Sequence, residues 1–313
     1  MDSPLKILVC YHKNYTMPPL DDGILLPIHV GKALSDKELH IQTDNELNGQ
    51  PCDNISVKNE SYCELTGLYW AWKNIRRAYP DVKYVGLYHY RRFFSFGSKK
   101  LFGQITNSLS DEIKNYRTDG ARVIKILEEG KIITGCETIK PLPLNIDYCI
   151  SHLSDDYNIL RDVIRNDFPD YYDDFISVME RSNSFFIANM FIMKYDDFAD
   201  WCEWIFAVLA KVEPLVPYQN YSTYQKRVFG FMSEILFKVW LRKNKKRTES
   251  FTVCVYRDNE SEIRKKNILM RVAEFLMRCV NYTVGKITLW LIVFRFMAAG
   301  KLQGKYGNNQ PES

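Results

Sequence analysis

KYVGLYHYRRFF, residues 83–94, reads as a buried strand that runs through Tyr, Val and Leu and then ends in His89, Arg91 and Arg92. In open α/β sheets, ligands sit outside the carboxyl ends of the strands. A histidine and two arginines at such an end are therefore placed where chemistry is done. Arginine forks match the oxygens of a diphosphate two at a time. The plainer reading is that the arginines pair with surface carboxylates. The apolar strand before them and Phe93 and Phe94 after them favour a ligand.

Upstream, KILVCYH (6–12) is a short apolar strand that stops at Tyr11, His12 and Lys13. Cationic and aromatic groups thus collect at two strand ends. Residues 14–52 carry prolines, Asp-Asp-Gly and Asn-Gly, which predict loops with a short helix near 31–38. CELTGLYWAWKNIRRAY (63–79) is a helix by its spacing, since Leu65, Leu68, Tyr69, Trp72 and Ile75 recur every three or four residues. Asn59 or Ser61 is placed to cap it. Asn59 is alternatively a contact for a polyhydroxylated ligand, and Glu64 lies at the positive dipole end of the helix. Strand, helix, strand predicts a mostly parallel α/β sheet flanked by helices.

Downstream, the patterns predict a helix at 120–129, a strand at 131–137, a helix at 153–168 and one buried strand over SFFIANMFIMK (184–194). Amphipathic helices follow at 196–213 and 225–243, and a late strand at 252–256. FGFMSEILF (229–237) sets Glu234 in an apolar run. A carboxylate there is either tuned as a general base or paired with Lys238 one turn on. His152, beside Ser151 and close to Asp155, is a weaker candidate of the same kind. No phosphate-binding glycine loop, zinc-protease motif or nucleophile elbow occurs.

The chain has 313 residues, 46% hydrophobic and 26% charged, which is ordinary globular composition. Its eight cysteines are scattered, with no paired spacing, and read as reduced thiols. MDSPLKILVCYH lacks a basic start and a long apolar run, so no secretion signal is expected. From residue 242 onward there are 15 Lys/Arg against 6 Asp/Glu, or +9; the preceding residues carry 27 against 32, or −5. Residues 267–301 are apolar with regular basic positions, and the longest uncharged run there, 287–294, is too short for the roughly 20 residues of a spanning helix. A helix lying in an anionic membrane surface fits better. Packing on the body or dimerisation is the alternative.

Four stretches in order carry a resemblance: DNISVKNESYCELTGLYWAWKN (53–74), YVGLYHYRRFF (84–94), NMFIMK (189–194) and YQKRVFGFMSEILFKVWL (224–241). Together they resemble a bacterial domain-of-unknown-function family of capsule and O-antigen gene clusters, assigned as glycosyltransferases, some of them galactofuranosyl- or galactosyltransferases. The resemblance covers roughly residues 5–242. It implies a GT-A-like fold. Many such folds end a strand in Asp-x-Asp, which holds a divalent metal. Here His89 and Arg91 stand at the similar positions, so the resemblance implies an arginine in the metal's role. No metal or other cofactor is expected on this reading, although manganese or magnesium remains open. Tyr11, His12, Lys13, Asn59, Glu64, His89, Arg91, Arg92 and Asn189 would bind the donor. Glu234 would be the catalytic base. His152 and Asp155 are the acceptor-side candidates.

The expectation is a catalytic domain over 1–242 and a membrane-associating tail over 243–313. The enzyme would move a hexose from a UDP-sugar to a lipid-linked glycan, as a peripheral protein on the cytoplasmic face of the bacterial inner membrane. Residues 242–301 would meet the anionic surface, without nucleic acid. The rival is a non-catalytic nucleic-acid-binding protein using the basic tail. It leaves the apolar residues 289–294 and the cationic strand end unexplained.

Overall fold

The computed structural model describes residues 3–97, 105–107, 110–257, 276–277 and 279–291. The quoted stretch forms strand Tyr84–His89 inside a nine-stranded sheet. It runs parallel to strand Leu5–Tyr11, with Cys10 opposite His89. Strands Leu25–His29 and Gln42–Thr43 extend the parallel order outward. Side-chain alternation sends Leu5, Ile7, Val9 and Tyr11 into one core and Leu8 and Cys10 into the other. Tyr84 and Tyr88 part from Val85 and Leu87 in the same way. Strands covered on both faces favour apolar residues at nearly every position, which is why these read as near-continuous runs; the exception, buried Lys6, donates to the Gly23 carbonyl at 2.7 Å.

On its other side, strand 84–89 divides between two neighbours. Tyr84 to Leu87 pair antiparallel with strand Phe191–Lys194, while His89 pairs with Arg92 of strand Arg92–Ser95. Strand 92–95 pairs antiparallel with Arg247–Tyr256, which lies parallel to Lys131–Gly135, which returns antiparallel to 191–194. These five strands close a ring. The sheet is therefore mixed: the expected parallel order holds across 5–11, 25–29, 42–43 and 84–89 and again between 131–135 and 247–256, with antiparallel pairs joining the two groups. The cause is the tight turn at Tyr90 and Arg91, which can join only antiparallel strands.

Strand 247–256 also corrects the expected domain division. It lies between strands 131–135 and 92–95, so residues 243–256 belong to the body and a boundary at 242 falls inside it. The basic run 242–247 is engaged there. Arg242 meets Asp174 at 3.0 Å and Lys246 meets Asp197 at 2.6 Å. Lys243 and Arg247 donate to the carbonyls of Asp170 and Glu129. That part of the expected lipid-facing surface is turned to the protein itself.

Helices Leu65–Ala78, Leu144–Ser151, Ser154–Asp167, Pro169–Met179, Tyr195–Val212 and Val228–Lys243 cover one face, and Gly120–Glu128 packs on the other. The first helix begins two residues later than its pattern predicts. Helix 169–179, unforeseen in the sequence, starts at a proline, which suits a first turn whose N–H has no partner. The strand expected over 184–194 is broken. Ser184–Phe185 pairs with Thr138–Ile139 in a separate small sheet, and only 191–194 joins the main one. Between them Ala188 and Asn189 take positive φ, 71° and 22°.

Residues 276–277 and 279–291 are helical. Gly285 is buried against the body: a Cβ there would lie 2.0 Å from Asn183 Nδ2 and 2.9 Å from the Lys140 carbonyl oxygen. Leu276, Val280, Ile287 and Leu291, spaced to fall on the opposite side, are exposed. The rest of the helix expected over 267–301 lies outside the described residues. Among the described residues no helix is long and apolar enough to cross a membrane.

Candidate active site

Strands 5–11 and 84–89 end at a cavity of about 610 Å³. The strand ends give it Cys10, His12, His89, Tyr90, Arg91 and Arg92, and the parallel neighbour gives Val30. The turn before helix 65–78 gives Asn59, Glu60, Cys63 and Glu64. The segment leading into helix 228–243 gives Tyr221, Thr223, Lys226 and Arg227. Three parts of the chain far apart in sequence thus converge on the carboxyl edge of the parallel strands.

The 59–64 turn is built by its backbone. A four-residue helix, Asn59–Tyr62, stops at Cys63, where φ is 52°, and the chain restarts as helix 65–78 with Glu64 at its cap position. Neither Asn59 nor Ser61 caps the longer helix. The Asn59 amide donates to the Cys63 carbonyl at 2.7 Å and to Thr66 Oγ1 at 3.0 Å, and Ser61 Oγ donates to the Lys58 carbonyl. Gly31, at φ 71°, backs Asn59 so closely that a Cβ there would sit 2.6 Å from the Asn59 side chain. Only glycine meets both demands.

Glu64 is buried, accepts from Asn189 Nδ2 at 2.7 Å and lies 3.9 Å from His89 Nε2. Asn189 in turn accepts from Ser233 Oγ at 2.9 Å. Asn189 is therefore not part of the cavity wall; it positions Glu64 from behind. The next residue back, Ala188, accepts from His89 Nε2 at 3.0 Å through its carbonyl and donates a backbone hydrogen bond to Glu234. The broken strand is what brings the Ala188 backbone between the two side chains. Backbone held at positive φ by non-glycine residues costs free energy and collects at functional sites.

Burial and the Glu64 charge push the Glu234 carboxyl up to about 8, against the pull of the Ala188 hydrogen bond, Arg92 and Arg227. Lys238 does not neutralise it. That ammonium goes to the Ser184 carbonyl at 2.6 Å and to Glu137 at 2.9 Å, which removes the simple ion-pair reading of Glu234. His12 is exposed at the cavity mouth, yet partial desolvation and the charges of Lys13, Lys37, Arg91 and Arg227 push it down to about 4, and its ring stands edge-on to Tyr90 at 5.0 Å. Burial also lowers His89, opposed by Glu64. Cys63 is pushed up to about 12 by burial, so it is an inert thiol beside Arg227 Nε at 3.3 Å.

Of the expected donor-binding residues, the fold gathers His12, Asn59, Glu64, His89, Arg91 and Arg92. It does not bring the other expected residues to the wall. The Tyr11 ring is fully buried in the opposite core. Lys13 is exposed, its ammonium 5.6 Å from the Tyr90 ring. Asp155 is exposed in the first turn of helix 154–167 and lines neither this cavity nor the next. His152 and Glu234 line a second cavity of about 210 Å³. Lys226, Arg227 and Ser233 were not singled out from the sequence, although YQKR ahead of an apolar helix carried the signal for the first two.

The chemistry of the wall suits a multiply charged anion. Arg91, Arg92, Lys226 and Arg227 face one space, offset by Glu60, which pairs with Lys226 at 2.9 Å, and by Glu64. The same set does not fit a divalent cation, since four fixed positive groups oppose it and the hard oxygen ligands it needs are few. Among the described residues no group of three or more His, Cys, Asp or Glu is arranged to hold one.

The pattern of a family described as "Domain of unknown function (DUF4422)" matches residues 6–245. No curated protein compared with the chain matches it. Among solved structures, the ligand-free structure of WbbM, a bifunctional glycosyltransferase, is similar at 26% sequence identity and a TM-score of 0.68. The similarity covers 80% of this chain and 45% of that one, so the chain corresponds to rather less than half of WbbM.

Proposed function

The chain belongs to the DUF4422 family, and from that premise and the cavity at its strand ends we propose that it is a glycosyltransferase. It transfers a hexose, galactofuranose or galactose in preference, from a UDP-sugar to a lipid-linked glycan of capsule or O-antigen type. The observation that carries this is the convergence of Arg91, Arg92, Lys226 and Arg227 on one cavity, with the desolvated carboxyl of Glu234 beyond it. The similarity to WbbM over 80% of the chain supports the same class of reaction. A cavity of about 610 Å³ suits a nucleotide sugar, in the range of ordinary ligand pockets.

In this reading the fixed cations take up the charge that grows on the diphosphate as the anomeric bond breaks. They are in place before the reaction, so little reorganisation is needed. His12, neutral near pH 7, and Tyr90 flank the donor without adding charge. Glu64, held by Asn189, is available to the hydroxyls of the donor sugar. Glu234 takes the proton of the acceptor hydroxyl, which assigns the reaction to the inverting class. No step runs through a metal.

The protein works at a membrane surface. Helical residues 279–291 fix one side to the body through Gly285 and turn Val280, Ile287 and Leu291 outward, and Leu276 is exposed with them. The surplus of +4 from residue 248 onward, 10 Lys/Arg against 6 Asp/Glu, favours anionic headgroups as what covers that stripe. In this reading the enzyme is a peripheral protein on the cytoplasmic face of the bacterial inner membrane.

Titration calorimetry with UDP, UDP-sugars and other nucleotides, with and without EDTA, tests the proposal on the wild type and on Arg91→Ala. The expected result is binding of a uridine diphosphate compound that EDTA leaves unchanged and that falls at least tenfold in Arg91→Ala. No nucleotide binding under either condition would overturn the reading. Binding that requires manganese or magnesium would overturn the metal-free part of it.

A further inference from the structure

Behind the donor cavity lies the second one, of about 210 Å³, and Glu234 is on its wall. The two cavities share a partition. The Ala188 peptide donates to Glu234 on one side and accepts from His89 on the other. Arg92 and Arg227, which line the first cavity, are close enough to Glu234 to act on its charge. Glu234 thus lines the second cavity while staying within electrostatic reach of arginines that line the first.

Its walls have a definite chemistry. His152 stacks on Phe231 with ring centroids 4.2 Å apart, and Tyr224 lies 5.2 Å from Phe231 and 6.0 Å from His152. His152 Nδ1 donates to Gln225 Oε1 at 3.2 Å, which leaves Nε2 as an acceptor. Lys140 and Asp147, paired at 2.8 Å, stand on the wall opposite in character to the rings. Flat apolar faces beside directed donors and acceptors match a sugar ring, which has an apolar C–H face and a hydroxyl edge. A free anion is a poorer match, because Glu234 and Asp147 both face the space. The volume lies below that of ordinary drug-sized pockets and suits a single ring rather than a nucleotide sugar.

We propose that this cavity is the acceptor subsite, and that it takes the terminal hexose of the glycan stacked on Phe231 and Tyr224. The proposal rests on the glycosyltransferase reading and adds where the acceptor binds and what recognises it. The acceptor hydroxyl gives its proton to the Glu234 carboxylate, and its oxygen forms the bond to the anomeric carbon. The bond from that carbon to the diphosphate oxygen breaks, and its electron pair leaves on the nucleoside diphosphate, held by the arginines. Helical residues 279–291 pack beside the Lys140 carbonyl through Gly285, next to this cavity rather than the donor one, with their apolar stripe turned away from the body. A lipid-linked glycan would arrive on that side.

The test is saturation-transfer NMR of a panel of methyl hexopyranosides, methyl galactofuranoside and short methyl glycosides on the full chain, with UDP affinity measured by calorimetry on the same samples. The variants are Phe231→Ala and the exposed Tyr224→Ala, each checked by thermal melting. The expected result is a glycoside signal in the wild type that UDP does not displace, that drops at least fivefold in both variants, and UDP affinity within twofold throughout. A signal that persists in Tyr224→Ala and Phe231→Ala, that UDP displaces, or that is absent from a wild type that binds UDP overturns the subsite. Failure of the wild type to bind UDP at all instead removes the glycosyltransferase reading beneath it.

Discussion

Asn189 donates to Glu64 at 2.7 Å across 125 residues of chain, from a backbone turn where two successive non-glycine residues have positive φ. The bond ties the turn before helix 65–78 to the broken strand, and Ser233 holds Asn189 from the other side. Replacing Asn189 with Ala leaves a buried Glu64 oxygen short of a partner, while Ser233 Oγ keeps its bond to the Gly230 carbonyl at 2.8 Å. The expected cost is about 1–3 kcal/mol of stability, read from denaturant unfolding. Loss of turnover should exceed any loss of UDP affinity, since Glu64 is displaced while the arginines stay.

Glu234 carries a pH dependence with two signs. Its carboxyl is pushed up to about 8 in the fold, so the ionised base accumulates only as pH rises through that value, and kcat should climb there. Glu234→Gln should lose roughly 10²–10⁴ in kcat and the climb with it. Stability runs the other way. A folded value above the unfolded one means that the stabilising contribution is complete below the unfolded value, near 4.5, and is lost as pH rises through about 8. Wild type and Glu234→Gln should therefore differ most above pH 8, with Gln the more stable by up to a few kcal/mol.

Gly31→Ala demands a left-handed backbone from alanine and drives its Cβ into Asn59. Denaturant midpoints should report a loss of about 1–3 kcal/mol, and UDP binding should weaken because Asn59 is part of the wall. Unchanged stability would mean that the 30–32 turn has another way to accommodate the side chain.

For the tail, the pair Ile287→Glu and Leu291→Glu on the full chain should abolish flotation with vesicles rich in phosphatidylglycerol. Wild-type flotation should fall on going to neutral phosphatidylcholine and in high salt. Flotation that survives both substitutions would assign lipid contact to another surface.

Much of this was readable from the residue pattern because strands buried on both faces declare themselves. Leu5 to Tyr11, Lys6 apart, and Tyr84 to Tyr88 are continuous apolar runs, and their basic ends marked the cavity. Helix 195–212 was equally plain, with Phe198, Trp201, Ile205, Val208 and Val212 on one stripe. What could not be read was long-range pairing. The late strand was seen as 252–256, but nothing local says that 247–256 enters between strands distant in sequence. The break at Ala188 and Asn189 was hidden for the same reason. SFFIANMFIMK is apolar enough for one strand, and only the pull of His89, Glu64 and Glu234 on its middle turns it into two. Tyr11 misled because alternation places it on the core face opposite the cavity, one residue before His12, which faces in.

The closing of the five-strand ring by residues 247–256 has a consequence for how the protein is made. A ribosome that has delivered the chain as far as Lys246 has supplied every residue of both cavity walls, yet strands 92–95 and 131–135 still lack the partner between them. Until Tyr256 has emerged, each presents an open edge on which another chain can add a strand. The nascent protein is thus most exposed to aggregation in the last stage of its synthesis, and genes interrupted between codons 246 and 256 should yield material held by chaperones or cleared by proteases rather than a smaller enzyme.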